Sequence, residues 1–345
     1  MLLEYLFADE APAAPNEFAL VRVSRRAMAT TFEIAVPAGS LSDPIAAAED
    51  ALDLIDSLED QMTVYRDESE VARLNETAHG GFVPVEPRLF ELFERCAAWM
   101  LATGGAFDIA TGALTKAWGF YRREGRVPPE PELVRAMRAS GFRHVVLDPE
   151  RRAVKFRAPG LELNLGAVGK GYALDRAAEL LQTKWRVRSA LLHAGGSSAR
   201  AIGAPPGDSR GWPVKLLHPT DATAHSGTAF VRDAGLGTSA ATFQFFEYKG
   251  TKYGHLLDPR TGRPAFGTLS ATAVAPTAAE ADALSTAAFV LGAERTEALA
   301  RLRPHAGFVV LPESDPRGPL AFNLAPEAYS PPVPHGPGSR ERPDT

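Results

Sequence analysis

The spacing of apolar residues changes along the chain between a helical and a strand period. Apolar residues at intervals of three and four predict amphipathic helices over Asp43–Met62, from about Pro87 to Ala102, and over Gly169–Leu181. A further helix is expected at Glu132–Ala139. The second of these helices should stop at the Thr-Gly-Gly sequence that follows it, because glycine commonly ends a helix.

Alternating apolar and polar residues predict strands between these helices. Two strands are expected in Ala19–Val36, joined around Met28-Ala29-Thr30, and a last strand at Leu269–Ala275. The segment HVVLDPERRAVKF alternates and turns like a hairpin. Strands and helices mix without a regular βαβ repeat, and hairpins are frequent. We therefore expect an α+β fold with two lobes, packed helices and a mixed, largely antiparallel sheet.

The ends of the chain differ in composition from its middle. Residues 1–17 are expected to form a flexible segment, residues 18–325 one functional unit of two lobes, and residues 326–345 a disordered Pro-rich tail. A chain of 345 residues exceeds the usual size of a single core, which is why two lobes are expected. The Pro-rich segment Arg126–Glu132 is the best candidate for a loop between them.

Composition excludes several classes of protein. A net charge of −5 without a basic cluster argues against a nucleic-acid partner. No apolar run is long enough for a transmembrane segment, and the N-terminus makes a poor signal peptide, so a cytoplasmic location is expected. The single cysteine, Cys96, allows no intramolecular disulfide and lies in an amphipathic pattern that favours a buried core thiol.

The apolar helix predicted in EADALSTAAFVLG contains one acid and one hydroxyl four residues apart, Asp282 and Thr286. Residues at this spacing share a helix face. Thr277 with Glu280 forms a capping box just upstream, so Asp282 lies near a helix N-terminus. Carboxylate and hydroxyl oxygens suit a hard cation such as Mg²⁺ or Ca²⁺. A solvent-facing Asp282 with a core-facing Thr286 is the alternative.

A second candidate site lies in LELNLGAVGKGYALDR, residues 161–176. Leucines alternate there as one strand face, and the chain then turns through small residues into a helix whose first turn carries Lys170. Such a turn exposes backbone N–H groups to an anion, and the lysine adds a charge suited to phosphate. Tight packing of small residues beside a surface lysine explains the same pattern.

Three further segments contain candidate ligand contacts. His255 precedes an Asp-Pro turn, where it can act as a base or donor near neutral pH. Phe107 and Asp108 follow two glycines and offer an aromatic face beside an acceptor. Tyr65 lies in a loop before Ser69, which can cap a short helix. Each of these residues also has a purely structural explanation.

Taken together and in this order, these segments resemble the ApbE family, flavin transferases that move FMN from FAD onto a protein. The resemblance spans roughly Val21–Gly292. The motifs that carry it are MATTFEI, Tyr65 with SEVARLN, GGAFDIATG with TKAWGF, LGAVGKGYALD, HLLDPRTGRP and ADALSTA. It implies an ApbE-like two-lobed fold.

The resemblance also implies roles for individual residues. The residues implied to contact FAD are Met28, Tyr65, Ala106, Phe107, Asp108, Asn164, Lys170 and Leu256. Magnesium is implied to be held by Asp282, Thr286 and the main-chain carbonyl of Ala167, with phosphate and water completing its shell.

The implied reaction is attack by a Thr or Ser hydroxyl of an acceptor flavoprotein on the FMN-side phosphorus of FAD, with AMP leaving. Mg²⁺ would neutralise developing charge, and the enzyme would mainly position the reactants. His255 is our candidate for taking the hydroxyl proton, and Asp108 competes with it for that role.

Two alternatives remain open at the level of sequence. With water as acceptor, the same site would make the protein an FAD pyrophosphatase that releases FMN and AMP. A non-catalytic FAD-binding protein is supported by departures from the family pattern: Asn164 and Ser197 stand where Asp is common, and Ala240 where Gly is typical. Retention of Asp282, Thr286 and Lys170 argues against simple binding.

Overall fold

The structure, a computed structural model, describes residues 18–221, 224–241, 244–315 and 317–332. Its α-helices are α1 (Pro44–Met62), α2 (Glu70–Thr77), α3 (Pro87–Ala102), α4 (Gly112–Ala117), α5 (Glu130–Arg138), α6 (Gly169–Thr183) and α7 (Ala278–Leu302). Short 3₁₀ helices lie at Phe120–Arg122 and Phe142–His144. The flexible segment expected at 1–17 lies outside the described residues.

The strands are numbered in chain order. They are β1 (Leu20–Ala27), β2 (Thr30–Pro37), β3 (Val83–Pro84), β4 (Val145–Asp148), β5 (Ala153–Phe156), β6 (Ala190–Ala194), β7 (Ser198–Ile202), β8 (Trp212–Leu217), β9 (His225–Val231), β10 (Gly235–Ala240), β11 (Phe245–Tyr248), β12 (Thr251–Gly254), β13 (Leu257–Asp258), β14 (Arg263–Pro264), β15 (Thr268–Ala275), β16 (Gly307–Pro312), β17 (Leu320–Phe322) and β18 (Tyr329–Ser330).

Eight strands form the main sheet, in the order β1-β2-β6-β7-β10-β15-β16-β17. Every strand pair in the described residues is antiparallel. The α+β fold with a largely antiparallel sheet is therefore confirmed, and no parallel pair makes the described sheets mixed. The first hairpin turns at Met28 and Ala29, both with positive φ, which matches the sequence prediction.

Helices cover one face of the main sheet and a small sheet covers the other. Helix α6 packs against both α1 and α7, α1 packs against β1, and α7 lies across β10, β15 and β16. The three-stranded sheet β18-β9-β8 packs on the opposite face around Trp212, Leu236 and Tyr329. The interior is therefore in two layers, and the helical layer contains most of the candidate site residues.

Local sequence signals set the helix boundaries. Asp43 caps α1 by accepting the Ala46 N–H at 3.0 Å, and Ser69 caps α2 through the Ala72 N–H at 3.0 Å. Helix α3 has the predicted bounds, and Cys96 on it is fully buried, which raises the pKa of its thiol. None of the helices in the described part of the chain is both long and apolar enough to span a membrane.

The segment 161–165 is extended but forms no strand, contrary to the prediction. Its leucines alternate as expected and are buried. Asn75 accepts the Leu163 N–H at 2.7 Å and donates to the Leu163 carbonyl at 3.0 Å. The Asn164 N–H donates to the Ile109 carbonyl at 2.7 Å, and the Gly112 N–H donates to the Glu162 carbonyl at 3.0 Å. A distant side chain and the segment that leads into α4 thus satisfy this backbone, an arrangement that apolar periodicity cannot reveal.

Two boundary predictions concern the chain's outer segments. The tail expected from residue 326 is ordered at its start, because Tyr329 pairs with Ala229 and its hydroxyl donates to the Ser226 carbonyl at 2.5 Å. Residues 333–345 lie outside the described residues. The division into two lobes at Arg126–Glu132 stays a prediction.

Candidate active site

Asp282 lies in the first turns of α7, which begins after Thr277. The Thr277 hydroxyl accepts the Glu280 N–H at 3.2 Å, as the capping box predicts. The Asp282 side chain is buried, with 7% of its surface exposed, so the alternative of a solvent-facing carboxylate is wrong. It accepts hydrogen bonds from the Gly171 N–H and the Ser198 hydroxyl, both at 2.8 Å.

Burial dominates the electrostatics of this carboxylate. Desolvation raises the pKa of Asp282 to about 7, while the nearby Lys170 charge and the Ser198 and Gly171 hydrogen bonds oppose that rise. A buried acid with so high a pKa is only partly compensated by its protein partners. The environment therefore favours an additional positive charge beside Asp282.

The close approach of α6 to α7 depends on small residues and on a second carboxylate. A Cβ on Gly171 would lie 2.2 Å from the Ala278 carbonyl oxygen, so only glycine fits there. One turn further along α6, Asp175 accepts the N–H groups of Ala278 and Ala279 at 2.8 and 2.9 Å. Asp175 thus caps α7 from another helix and fixes the segment that leads to Asp282.

Thr286 lies one turn beyond Asp282 and is half-buried. The Ser239 hydroxyl, at the end of β10, is 3.2 Å from the Thr286 hydroxyl and 3.0 Å from the Ser285 hydroxyl. Thr286 thus belongs to a group of three neighbouring hydroxyls, and a fourth hydroxyl, that of Ser198, contacts the Asp282 carboxylate. Sequence reasoning missed Ser198 and Ser239 as site residues, because β7 and β10 deliver them from separate segments of the main sheet.

The turn before α6 brings Lys170 toward the same place. Asn164 accepts the Gly166 N–H through its side-chain oxygen at 2.8 Å, which shapes the turn that contains Ala167. Helix α6 then begins at Gly169, and half-buried Lys170 is in its first turn. Its positive charge opposes the rise in the pKa of Asp282 and contributes to the lowered pKa of His255.

His255 follows directly after β12 and is half-buried. Its Nδ1 is 3.1 Å from the Gln244 carbonyl oxygen, which can only accept, so Nδ1 is protonated and donates a hydrogen bond to it, while Nε2 keeps its lone pair. Burial, with a contribution from Lys170, lowers the pKa of the imidazole. Burial therefore favours the neutral imidazole, in which Nε2 is the basic nitrogen. Leu256, the next residue, accepts the Ala265 N–H at 2.9 Å.

The loop Ala106-Phe107-Asp108 differs from the sequence-based picture of an open aromatic face. Phe107 is only 1% exposed and packs edge-on against Trp99 with ring centroids 6.3 Å apart. Asp108 accepts the N–H groups of Ala110 and Phe142 at 2.7 and 2.8 Å. Burial raises the pKa of Asp108 against these bonds. Both carboxylate oxygens organise the loop, so the structure gives Asp108 no support as the base.

Met28 and Tyr65 both lie near the C-terminal end of α1. The Met28 N–H donates to the Glu59 carboxylate at 2.6 Å from a turn with positive φ. Tyr65 is 65% exposed and stacks on Tyr121, with ring centroids 4.8 Å apart and planes tilted by 31°. An exposed aromatic pair offers a stacking surface for a flat heterocycle. Tyr121 was missed by the sequence analysis, although it follows the TKAWGF motif directly.

The donor set around Asp282 fits a hard cation. The described residues contain no cluster of three or more His, Cys, Asp or Glu side chains that could hold a metal. Mg²⁺ does not require such a cluster, since it prefers oxygen ligands and keeps waters or substrate phosphates in its shell. One incompletely compensated carboxylate, with the Thr286 hydroxyl one turn further along α7 and Ala167 in the turn before α6, therefore fits Mg²⁺ better than a softer metal.

The chain is similar to known proteins over most of its length. The ApbE family model matches residues 28–310. The FAD:protein FMN transferase of Treponema pallidum is 36% identical over 276 residues, covering 75% of each chain. The enzyme of the same name from Escherichia coli K12 is 27% identical over 310 residues, covering 88% of each.

Solved structures of the family have the same fold. The ApbE protein of Thermotoga maritima superposes with a TM-score of 0.77 at 28% identity, covering 86% of this chain and 95% of its own. The apo flavinyl transferase ApbE of Pseudomonas stutzeri gives a TM-score of 0.76 at 26% identity, covering 90% of this chain and 96% of its own. The chain belongs to the ApbE family and is an enzyme of that family.

Proposed function

We propose that the chain transfers FMN from FAD to a Thr or Ser hydroxyl of an acceptor protein and releases AMP. The observation that supports this most is the buried Asp282 carboxylate, held by Gly171 and Ser198 beside Lys170. It joins a site for a hard cation to a helix N-terminus suited to phosphate. The relatives' names supply the reaction, and the intact Asp282, Thr286 and Lys170 favour catalysis over simple binding.

FAD has two parts that the site must hold. The Tyr65–Tyr121 pair is the exposed surface suited to the flavin ring. The turn before α6 and Lys170 suit the pyrophosphate, because backbone N–H groups, the helix dipole and an ammonium group all favour an anion there. The predicted contacts of Met28, Ala106 and Leu256 would then be made through the backbone of their turns.

Mg²⁺ would be held by the Asp282 carboxylate, the Thr286 hydroxyl and the Ala167 carbonyl. When bound, it neutralises the pyrophosphate and stabilises the charge that develops on the leaving phosphate. Ser198 and Gly171 orient Asp282 for this role, and Ser239 orients Thr286.

The reaction forms one phosphorus–oxygen bond and breaks another. The acceptor oxygen bonds to the FMN-side phosphorus, the bond from that phosphorus to the bridging oxygen breaks, and AMP departs with that oxygen. His255 Nε2 takes the hydroxyl proton, since Nδ1–H is engaged by the Gln244 carbonyl and the imidazole is neutral. Lys170 holds the phosphates in place, and most of the rate enhancement comes from positioning and charge neutralisation.

The test uses the purified chain, FAD, Mg²⁺ and an acceptor domain that a curated relative flavinylates at Thr or Ser. Covalent fluorescent flavin on the acceptor, together with one AMP per flavin, is the expected result. AMP and FMN without labelled acceptor would instead show a pyrophosphatase. Absence of all these products, with FAD still bound in a fluorescence titration, would leave FAD binding alone.

A further inference from the structure

The hairpin of β11 and β12 forms a two-stranded sheet of its own beside the main sheet. Within the described ranges, neither of its outer edges pairs with another strand. Such a hairpin is marginally stable alone. Aromatic side chains hold it instead: Phe246 and Tyr253 stack at 5.3 Å, and Tyr253 lies 5.7 Å from Trp118.

The register shows which backbone groups of β11 point outward. The His255 N–H donates to the Gln244 carbonyl at 3.1 Å, so Phe245, the next residue after Gln244, belongs to a non-hydrogen-bonded pair. Alternation along the strand places Glu247 in the same class. The N–H and C=O groups of Phe245 and Glu247 therefore face away from β12 and are free to pair with another strand.

This edge also exposes apolar side chains. Three of the four residues of β11 are exposed, including Phe245 at 43% and Tyr248 at 45%. Strand β12 is less exposed, because only two of its four residues are exposed and its last residue, Gly254, is buried. An unpaired strand edge flanked by exposed aromatic rings is a surface that proteins normally blunt or cover.

The open end of the hairpin leads directly into the candidate site. Gln244 precedes β11, and its carbonyl accepts both the N–H and the Nδ1–H of His255. A strand laid along β11 would therefore run beside the residue that fixes the orientation and tautomer of His255. No other exposed strand edge that we describe here is joined to His255 in this way.

We propose that the edge of β11 docks an extended, hydroxyl-bearing segment of the acceptor protein by strand addition. Backbone hydrogen bonds to Phe245 and Glu247 would supply affinity, and an apolar acceptor side chain would pack on Phe245 or Tyr248. The docked strand directs its Thr or Ser hydroxyl toward His255 Nε2. This inference rests on the proposed FMN transfer and names the surface that recognises the protein substrate.

Proline substitution tests the edge without touching the hairpin's own ladder. Glu247→Pro removes an outward N–H, and proline is tolerated on strand edges. Glu247→Ala is the matched control that keeps this N–H. Lys252→Pro is a second control, because Lys252 pairs with Glu247 and its N–H faces the opposite edge.

Kinetics with the unmodified acceptor domain of the transfer assay, at saturating FAD and Mg²⁺, give the readout. Glu247→Pro should raise the KM for the acceptor roughly three- to tenfold, the effect of one lost hydrogen bond. The FAD Kd should not change, and both controls should keep the wild-type KM. An unchanged KM in Glu247→Pro, or an equal rise in Lys252→Pro, would overturn the proposal.

Backbone hydrogen exchange in the wild-type protein provides an answer that does not depend on how the proline variant folds. Saturating acceptor should slow exchange of the Phe245 and Glu247 amides, and unchanged exchange would also overturn docking on β11. If the wild-type protein transfers no FMN to the acceptor, the proposed function fails instead, which distinguishes the two failures.

Discussion

The Gly171 N–H donates a hydrogen bond of 2.8 Å to the Asp282 carboxylate and so joins the first turn of α6 to the first turns of α7. The same turn of α6 contains Lys170, whose positive charge opposes the rise that burial causes in the pKa of Asp282. The turn that we propose for phosphate binding and the carboxylate that we propose for metal binding are thus parts of one packed helix pair. Changes at this contact should affect both stability and Mg²⁺-dependent transfer.

Gly171→Ala should destabilise the protein. The added Cβ would meet the Ala278 carbonyl at 2.2 Å, which forces α6 and α7 apart. Overpacking of this kind costs about 1–3 kcal/mol of the free energy of unfolding. Thermal unfolding measures the effect, and Gly81→Ala is the matched control, because nothing lies within 4 Å of a Cβ there. A Tm equal to that of the control would contradict the close packing.

Ser198→Ala should weaken the binding of Mg²⁺ without removing a proposed metal ligand. The variant leaves one oxygen of the buried Asp282 carboxylate without its 2.8 Å donor. Loss of such an orienting partner typically costs about 10–100-fold in metal affinity. Titration of transfer with Mg²⁺ measures the change. Ser197→Ala serves as control, since the Ser197 hydroxyl reaches only the Ala194 carbonyl at 3.4 Å; equal Mg²⁺ requirements in the two variants would argue against the role of Ser198.

The acid limb of the pH–rate profile should lie below pH 6.5. His255 must be neutral to accept a proton, so the rate falls as pH drops through its pKa. Burial lowers that pKa from its ordinary 6.5, which moves the limb to lower pH. The profile is measured at saturating Mg²⁺, which keeps Asp282 ionised. His255→Ala should reduce transfer about 10²–10⁴-fold and abolish the limb; a limb that persists in this variant would exclude His255 as its source.

Truncation of Phe107 should lower the stability of the protein, whereas truncation of Tyr65 should weaken FAD binding. Phe107→Ala empties a fully buried site and should cost about 3–5 kcal/mol of the free energy of unfolding. Tyr65→Ala removes an exposed ring, so stability should hold while the Kd for FAD rises. Unfolding curves and fluorescence titration with FAD separate the two effects. Unaltered FAD affinity in Tyr65→Ala would remove the stacking assignment.

The helices and most strands could be predicted because their signals are local. The bounds of α3, the cap at Thr277 and the turn at Met28 follow from spacing and capping chemistry that neighbouring residues determine. Segment 161–165 could not be predicted in the same way, since its backbone pairs with the Asn75 side chain from 88 positions earlier in the chain. Only the folded chain shows that partner.

The candidate site, too, could be predicted from the sequence only where its signals are local. A spacing of four residues placed Asp282 and Thr286 together, and the turn before α6 was found from its small residues. The burial of Asp282, its Ser198 donor and the Ser239 hydroxyl depend on strands β7 and β10, which are distant in sequence. Phe107 was expected to face a ligand. Its packing on Trp99, which local sequence patterns do not reveal, buries it instead.

Measuring Mg²⁺-dependent FMN transfer by the Asp282→Asn variant tests the assignment of the metal site most directly. The substitution keeps the shape of the side chain and an oxygen for the Gly171 N–H, but it removes the charge that would hold the cation. We expect FAD binding and folding to persist, while transfer at any Mg²⁺ concentration falls by more than about 100-fold, beyond the effect of losing an orienting partner. Transfer at the wild-type rate with an unchanged Mg²⁺ requirement would contradict the metal site and the mechanism built on it.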